Sequence, residues 1–323
     1  MSMRRIAVLS SGGDAPGINP CIRSVVRTAL FHNVEVFGVE EGYEGLIHGD
    51  MRPLRARDVS GIMQQGGTFL RTARCLEFKE ERIQRKGLRE LNEHDIDGLV
   101  VIGGDGSMRG AHAIANLGYP VVGAPSSIDN DITGTDMSMG VDTALNTIMD
   151  SLDKLRDTAS SHQRVFLVET MGRNCGYLAL ISGVIGGAEL ILIPERDMEM
   201  ATIVKEIQDA YARGKTHAII VAAEGASLKV NEVAAYLKEH KVGFEPRVTI
   251  LGHVIRGGSP TAFDRMLGTR MGVRAVEGLL DGKTDVMVGL QGRKIAYVPL
   301  DEVLAHPRQP NLDYYDMAEM LAR

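Results

Sequence analysis

The residues best suited to bind a ligand or do chemistry follow an apolar run, in the segment VVIGGDGS at residues 100–107. The paired glycines let backbone amides come close to anionic oxygens, and the amino end of a following helix favours negative charge. Asp105 adds a carboxylate that can hold a metal ion. This pattern indicates a phosphate site, although the same glycine turn also follows strands that bind no ligand.

Two other polar loops follow apolar runs. SSGGDAPGIN at residues 10–19 is a second candidate phosphate cradle, because its glycines precede a Pro-Gly pair that introduces a helix. PSSIDNDITGTD at residues 125–136 holds Asp129 and Asp131. Such close carboxylates can divide the work between a general base and a metal-binding or positioning role. A polar turn capped by aspartates explains the same residues more simply.

Arginines recur beside strand ends and glycine turns. A guanidinium group matches phosphate oxygens in a two-pronged geometry that lysine cannot copy. A single arginine is usually a solvated surface group, but the repetition favours an anionic ligand. These arginines are Arg71, Arg74, Arg164, Arg173, Arg247 and Arg256. Glu224 and His253 are candidates for contacts with a sugar hydroxyl. Alternatively, Glu224 caps a helix and His253 is a loop histidine that is hydrogen-bonded within the fold.

Composition narrows the class of protein. The chain has 323 residues, 44% hydrophobic and 24% charged, and a net charge of −6, which argues against a general binder of nucleic acid or membrane surfaces. Its three cysteines lack the spacing of a zinc site or a disulfide framework, which favours a cytoplasmic location. The most apolar segment, residues 177–194, is broken by glycines and Glu189, so we expect a buried helix, turn and strand without a membrane anchor.

Short β-branched runs alternate with helical patterns along the chain. This alternation predicts an α/β fold with parallel sheets covered by helices on both faces, and chemistry at the carboxyl ends of the strands. Predicted strands cover residues 4–9, 34–39, 98–103, 120–124, 164–169, 190–194, 217–224 and 247–252, and helical patterns cover residues 18–31, 80–91, 139–157, 201–213 and 231–240.

Eight motifs in order resemble those of the bacterial ATP-dependent 6-phosphofructokinases: SSGGDAPGIN, GGTFLRTARC, VVIGGDGS, SSIDNDITGTD, RDTASSHQR, MGRNCG, VAAEG and LGHVIRGGSPTAFDR. The resemblance covers nearly the whole chain. It implies two doubly wound α/β lobes with mainly parallel sheets and an active site in the cleft between them. Residues 1–141 and 254–304 would form the larger, nucleotide-binding lobe, and residues 142–253 and 305–323 the smaller, sugar-phosphate-binding lobe.

The resemblance also implies an activity, transfer of the γ-phosphoryl group of MgATP to the 1-hydroxyl of fructose 6-phosphate, the committed step of glycolysis. Asp129 would be the general base, with Asp131, Arg173 and Ser127 as the other catalytic residues, and Asp105 would serve Mg²⁺. The implied nucleotide-binding residues are Gly13, Arg74, Cys75, Gly104, Asp105, Gly106 and Ser107. The implied sugar-phosphate-binding residues are Ser127, Ile128, Asp129, Arg164, Met171, Gly172, Arg173, Glu224, Arg247, His253 and Arg256.

Subunit and effector contacts are implied in the same way. In the family, the counterparts of Arg164 and Arg247 reach the substrate from a neighbouring subunit, which implies a homotetramer. The positions that bind ADP or phosphoenolpyruvate in allosteric relatives are matched by Arg23, Arg27, Arg156, Gly187, Glu189, Arg213 and Lys215. Ala56 stands where those relatives have an effector-binding arginine, so weakened or altered effector control is expected.

Departures from the family pattern keep alternatives open. Ser126 and Ser127 stand where ATP-using members have Gly-Thr, and Met108 replaces a common tyrosine. Diphosphate-dependent relatives typically carry lysine at the position of Ser126 and aspartate at that of Gly106, and this chain has neither, which favours ATP. The alternatives are a diphosphate-dependent enzyme and a catalytically weak regulatory paralogue that binds sugar phosphate or nucleotide. A lipid kinase or NAD kinase would rest on GGDG alone.

Overall fold

Unbroken runs of Val, Ile, Leu and Ala form the central strands, because strands covered on both faces bury every side chain. A computed structural model describes residues 3–322. Its strands are β1 (Arg5–Ser11), β2 (Glu35–Val39), β3 (Met51–Leu54), β4 (Gly98–Gly103), β5 (Val121–Pro125), β6 (Arg164–Thr170), β7 (Leu190–Leu192), β8 (Ala218–Ala223), β9 (Glu245–Ile250), β10 (Val286–Gln291) and β11 (Lys294–Pro299).

Helices alternate with these strands. They are α1 (Ile18–Phe31), α2 (Tyr43–His48), α3 (Glu81–Glu93), α4 (Asp105–Asn116), α5 (Val141–His162), α6 (Tyr177–Ile185), α7 (Met200–Ala212), α8 (Val230–Glu239), α9 (Ala262–Leu280), α10 (Leu300–Ala305) and α11 (Asp313–Leu321). Short 3₁₀ helices cover Leu76–Lys79 and Gly252–Arg256. Within the described residues, none of the helices combines the length and apolar character needed to cross a membrane.

The chain divides into two compact units. The first consists of the chain up to Ile128, Ile132–Thr143 and Arg256–Arg308. It contains a seven-stranded sheet in the order β11-β10-β5-β4-β1-β2-β3. The five strands from β10 to β2 are parallel, and an antiparallel strand closes each edge.

The second unit consists of Asp129–Asp131, Ala144–Ile255 and the chain from Gln309. Its sheet has four strands in the order β7-β8-β6-β9, all parallel. Each unit buries its own apolar core, around β4 in the first and around β8 in the second. The predicted α/β class, with mainly parallel sheets and covering helices, is confirmed.

The strand and helix predictions succeeded where burial leaves a continuous apolar run. All eight predicted strands are present with ends displaced by at most two residues, and the five helical patterns correspond to α1, α3, α5, α7 and α8. The apolar segment from Tyr177 forms a helix, a turn and a strand, as expected. The sequence did not predict β3, β10 or β11, which are edge strands or their neighbours.

Candidate active site

The carboxyl ends of three neighbouring strands bring the phosphate-type loops together in the first unit. In the sheet register, Ser11 at the end of β1 lies opposite Gly103 at the end of β4, and Gly103 lies opposite Pro125 at the end of β5. The amide of Ser126 donates to the carbonyl of Gly103 at 2.9 Å. Both predicted cradles and the start of the double-aspartate loop therefore lie at one sheet edge, where α/β proteins bind ligands.

Two glycines of the GGDG segment meet different surroundings. A Cβ atom at Gly103 would lie 2.3 Å from Ser107 Oγ and 2.4 Å from the carbonyl oxygen of Ser11. Ser107 Oγ itself donates to that carbonyl at 2.9 Å, so Gly103 is required for close packing between the loops. A Cβ at Gly106 would meet nothing within 4 Å. Gly106 therefore leaves open space in the first turn of α4, beside the loop.

Asp105 begins α4 just after the extended backbone of Gly104. Its two carboxylate oxygens accept from Arg109 Nε at 2.9 Å and from Arg109 Nη2 at 3.1 Å, one helical turn later. About half of each side chain is exposed. An exposed pair of this kind contributes little to stability, so exchanging the arginine for a metal ion or a phosphate complex costs little.

A positive charge lies over the first glycine loop. A Cβ at Gly13 would stand 2.8 Å from Arg256 Nη2 and 3.0 Å from its Cζ. Arg256 Nε is buried and has no hydrogen-bond partner.

The loop before α3 contains the predicted nucleotide-binding residues Arg74 and Cys75, of which Arg74 is exposed. Burial, followed by a hydrogen bond to Glu44, raises the pKa of Cys75 to about 11. Cys75 is therefore a neutral thiol near pH 7, which suits a contact residue better than a nucleophile.

The double-aspartate loop turns sharply between its two carboxylates. Ser127 is half-buried, its carbonyl accepts from Ser138 Oγ at 2.6 Å, and Ile128 is buried. Asn130 has φ 52°, the left-handed conformation that asparagine tolerates better than most residues. By contacts, Asp129 and Asp131 belong to the second unit.

The charge of these aspartates acts on the loop after β6. The pKa of Cys175 is raised to about 12, mainly by burial, with smaller contributions from the carboxylates of Glu195, Asp131 and Asp129. Negative charge from the double-aspartate loop therefore lies near the MGRNCG segment. A general base must lie close to the hydroxyl whose proton it takes, and group transfer also needs a cation near the transferring group. Arg173 belongs to the MGRNCG segment and supplies such a cation.

Five of the predicted sugar-phosphate residues lie at the carboxyl ends of β6, β8 and β9. Thr170 pairs with Ala223, and the amide of Glu224 donates to the carbonyl of Thr170 at 2.9 Å. The loop Met171-Gly172-Arg173 follows Thr170 directly, and His253 lies in the 3₁₀ helix that follows β9. Within the second unit, the fold thus places Met171, Gly172, Arg173, Glu224 and His253 at the same sheet edge.

Two predicted substrate arginines lie in the amino-terminal halves of β6 and β9, away from that cluster. Arg164 is the first residue of β6, and Arg247 pairs with Phe166 two residues later. Both approach Glu245, at 3.7 Å and 2.6 Å. At about 3.3 Å per residue along β6, Thr170 lies about 20 Å from Arg164 and about 13 Å from Phe166, the partner of Arg247, and Arg173 follows Thr170. The second unit therefore does not bring Arg164 or Arg247 to the cluster around Arg173.

The predicted effector residues of the second unit lie near one another. Lys215 Nζ donates to Glu189 Oε1 at 3.2 Å, and Arg156 donates to the carbonyl of Gly186, next to Gly187. Gly187 has φ 61°, and Arg213 is exposed at the end of α7.

In the first unit, the effector residues Arg23 and Arg27 belong to α1. Arg27 Nη2 donates to the carbonyl of Ala56 at 2.9 Å. Ala56 thus contributes a backbone oxygen to Arg27 and, as an alanine, no guanidinium of its own.

Sequence reasoning missed Tyr43 as part of the phosphate loops. Its side chain is buried, and its hydroxyl donates to the carbonyl of Ser107 at 2.7 Å. A Cβ at Gly110 would lie 2.5 Å from the Tyr43 ring, so this glycine makes room for the ring against α4. A buried tyrosine hydroxyl requires a partner. The sequence alone gave no signal of which partner that would be.

Comparison with known proteins agrees with this geometry. The phosphofructokinase family model matches residues 5–279. An ATP-dependent 6-phosphofructokinase of Thermotoga neapolitana is 52% identical over 99% of this chain and all of its own, and one of Halalkalibacterium halodurans is 50% identical over the same shares. The crystal structure of Pichia pastoris phosphofructokinase in the T-state superposes with TM-score 0.90 at 37% identity, covering 94% of this chain and 36% of its own. The chain belongs to the phosphofructokinase family.

Proposed function

We propose that this protein transfers the γ-phosphoryl group of ATP to the 1-hydroxyl of fructose 6-phosphate, giving fructose 1,6-bisphosphate and ADP. The observation that carries the proposal is the full-length match, at 50–52% identity, to bacterial proteins named ATP-dependent 6-phosphofructokinase. The residues that this chemistry requires are all present. They are Asp105, Asp129, Asp131 and Arg173.

The nucleotide is bound by the loops at the ends of β1 and β4. Backbone amides at Gly13 and from Gly104 to Ser107 face the phosphates, because no Cβ intervenes at the glycines and the amino end of α4 favours negative charge. Arg74 and Cys75 line the nucleotide from the loop before α3. The open space at Gly106 supports ATP as the donor, since this position needs room for a chain of three phosphates.

Mg²⁺ fits the residues of this region. Among residues 3–322, no group of three or more His, Cys, Asp or Glu side chains converges as a metal site. Magnesium is usually held by one or two carboxylates together with substrate phosphates and water, so Asp105 suffices as the protein ligand. When bound, the ion neutralises phosphate charge during transfer.

The sugar phosphate is bound by the second unit. Glu224 and His253 bind sugar hydroxyls, and the loop from Met171 to Arg173 surrounds the reacting end. Asp129 takes the proton of the 1-hydroxyl as this oxygen attacks the γ-phosphorus, and the bond to the ADP oxygen breaks. Arg173 offsets the charge of the transferring group, while Asp131 and Ser127 orient the loop. Ile128 and Arg256 complete the contacts.

A homotetramer completes the site. Arg164 begins β6 and Arg247 is the third residue of β9, whereas Arg173 follows the carboxyl end of β6. Within one chain the two arginines therefore serve a different surface. We propose that they bind the 6-phosphate in the site of a neighbouring subunit. ADP or phosphoenolpyruvate binds at the residues around Lys215 and at α1, with weakened control because Ala56 lacks a guanidinium. All three cysteines are unpaired, which supports a reducing cytoplasm.

Initial rates with purified protein test the activity. Formation of fructose 1,6-bisphosphate is measured with Mg²⁺ and either ATP or diphosphate as the donor. ATP-dependent turnover is the expected result. Turnover with diphosphate alone would contradict the donor assignment. Measurable binding of fructose 6-phosphate without turnover would instead indicate a regulatory paralogue.

A further inference from the structure

The loop that carries Arg173 is held at both ends by main-chain contacts. At its start, the amide of Gly225 donates to the carbonyl of Gly172 at 3.1 Å. The two segments are so close that a Cβ at Gly225 would lie 1.9 Å from the carbonyl oxygen of Arg173. Gly172 has φ 127°, which only glycine adopts readily.

At its other end, the loop enters α6 at Gly176, whose backbone contacts the carboxylate of Glu195. The amide of Gly176 donates to Glu195 Oε1 at 2.8 Å. There is no space around this bond, since a Cβ at Gly176 would lie 2.5 Å from Ile193 Cβ and 2.6 Å from Glu195 Oε2. Glu195 Oε2 is itself buried and has no hydrogen-bond partner. A carboxylate held in this way keeps its hydrogen bond to the start of α6, where negative charge is favourable.

We propose that Glu195 is a positioning residue for the phosphoryl-transfer step, acting through Gly176 on the backbone that carries Arg173. Three residues separate the Gly172 contact from the Gly176 contact. With both contacts in place, the backbone of Arg173 has little freedom. Without Glu195, the amide of Gly176 loses its hydrogen bond and the end of the loop is held less tightly, so the guanidinium is distributed over more positions. The inference rests on the proposed function, because it assigns Arg173 to the site of transfer.

In this proposal Glu195 does not touch the substrate. Two substitutions of Glu195 distinguish the effect of its hydrogen bond from the effect of its charge. Glu195→Gln keeps an acceptor oxygen for Gly176 and removes the charge. Glu195→Ala removes both. Asp197→Asn is the matched control, because Asp197 is exposed two residues away and carries the same charge.

The experiment measures kcat and KM for both substrates in these variants, alone and combined with Arg173→Ala. We expect Glu195→Ala to lower kcat/KM for fructose 6-phosphate about tenfold or more, with KM for ATP changed less than about twofold. Glu195→Gln should stay within about threefold of the wild type, and Asp197→Asn should match it. In the Arg173→Ala background, Glu195→Ala should add less than about a threefold further loss, because the group that it positions is gone.

Three results would overturn the inference. They are an unchanged rate in Glu195→Ala, an equal loss in Glu195→Gln, and a full additive loss in the Arg173→Ala background. If thermal melting shows that Glu195→Ala does not fold, Glu195→Asp takes its place with the same expectations, since one methylene fewer draws the carboxylate away from Gly176. Wild-type turnover of fructose 6-phosphate tests the proposed function itself, so its failure is distinguishable from failure of the inference.

Discussion

Asp129 is the residue on which the proposed chemical step depends most directly. Asparagine has the same shape but cannot take the proton of the sugar hydroxyl. We therefore expect Asp129→Asn to lower kcat by about a hundredfold or more, with a smaller change in KM for fructose 6-phosphate. Steady-state rates with saturating MgATP measure both parameters.

The control for that substitution is Asp153→Asn, which removes an exposed carboxylate from α5 and should leave kcat unchanged. Thermal melting establishes that both variants are folded. Near-normal kcat in folded Asp129→Asn would show that another group accepts the proton.

Gly106 tests donor choice at a position where the fold imposes no packing constraint. Since a Cβ there meets nothing within 4 Å, Gly106→Asp should fold with an unchanged melting temperature. The added carboxylate would face the nucleotide phosphates, and two like charges about 4 Å apart repel by about 4 kcal/mol at an effective dielectric constant of 20. We expect kcat/KM for ATP to fall about tenfold or more after screening.

Asn116→Asp is the control for Gly106→Asp, because it adds the same charge at the far end of α4, about 15 Å away. If both variants lose ATP turnover equally, the loss comes from net charge and the assignment of Gly106 to the donor is wrong.

The residue types of the site were predictable, whereas several of their contacts were not. Glycines after apolar runs and the close pair of Asp129 and Asp131 predict phosphate chemistry from elementary rules. The pairing of Asp105 with Arg109 follows the spacing of one helical turn, which the sequence contains but does not single out among many charged pairs. The contact of Arg256 with Gly13 joins residues more than 200 positions apart, and no local pattern reports it.

At the scale of elements, burial decided which strands could be predicted. The central strand β4 is apolar at nearly every position and fully buried, so its ends were predicted to the residue. The edge strand β3 contains Pro53 and only one buried residue, and it therefore lacks both the apolar run and the alternation that mark a strand. β10 and β11 form a hairpin around Gly292, whose φ of 58° is visible only in the structure.

The start of α5 depends on a carboxylate from another helix. Asp264, fully buried in α9, accepts from the amide of Gly140 at 2.9 Å, the amide of Thr143 at 2.8 Å and Thr143 Oγ1 at 2.6 Å. Thr261, three residues earlier, accepts from the amide of Asp264 at 3.3 Å. The spacing of Thr261 and Asp264 is a capping pattern, but the sequence does not show that Asp264 caps a second helix.

We expect Asp264→Asn to destabilise the first unit by about 2–4 kcal/mol, because an amide offers one acceptor oxygen and leaves a buried donor unsatisfied. Chemical denaturation at pH 7 measures the change in free energy of unfolding. Asp281→Asn is the control, since Asp281 ends the same helix at the surface. An unchanged midpoint for Asp264→Asn would show that these hydrogen bonds contribute nothing net.

The pKa of Asp264 makes its contribution to folding stability depend on pH. Burial raises its pKa above the ordinary value of 3.8, against the opposing hydrogen bonds from Thr143 and Gly140. Protonation is therefore easier in the folded state, so the associated stabilisation is fully present below pH 3.8 and is lost as the pH rises through the folded pKa. At neutral pH the folded protein carries the cost of a buried carboxylate, offset by the three hydrogen bonds.

At the scale of the whole molecule, the positions of Arg164 and Arg247 lead to a test of subunit exchange. If Arg247 serves a neighbouring site, a working site needs Asp129 from one chain and Arg247 from another. Asp129→Asn and Arg247→Ala should each be nearly inactive alone. Because the two substitutions lie on different chains, hybrids of the two variants can contain sites in which Asp129 and Arg247 are both intact.

With equal, random mixing, about a quarter of all sites combine an intact Asp129 with a neighbour's Arg247, and every such site lies in a hybrid. Co-expression of the two variants with different affinity tags, followed by tandem purification that removes tetramers of a single variant, should therefore restore activity to about 30% of the wild-type kcat. If Arg247 instead served the site of its own chain, no hybrid site would contain both groups and the purified hybrids would stay inactive. Mixing Asp129→Asn with itself under the two tags supplies the background rate, so any recovery above it requires that the site be shared between subunits.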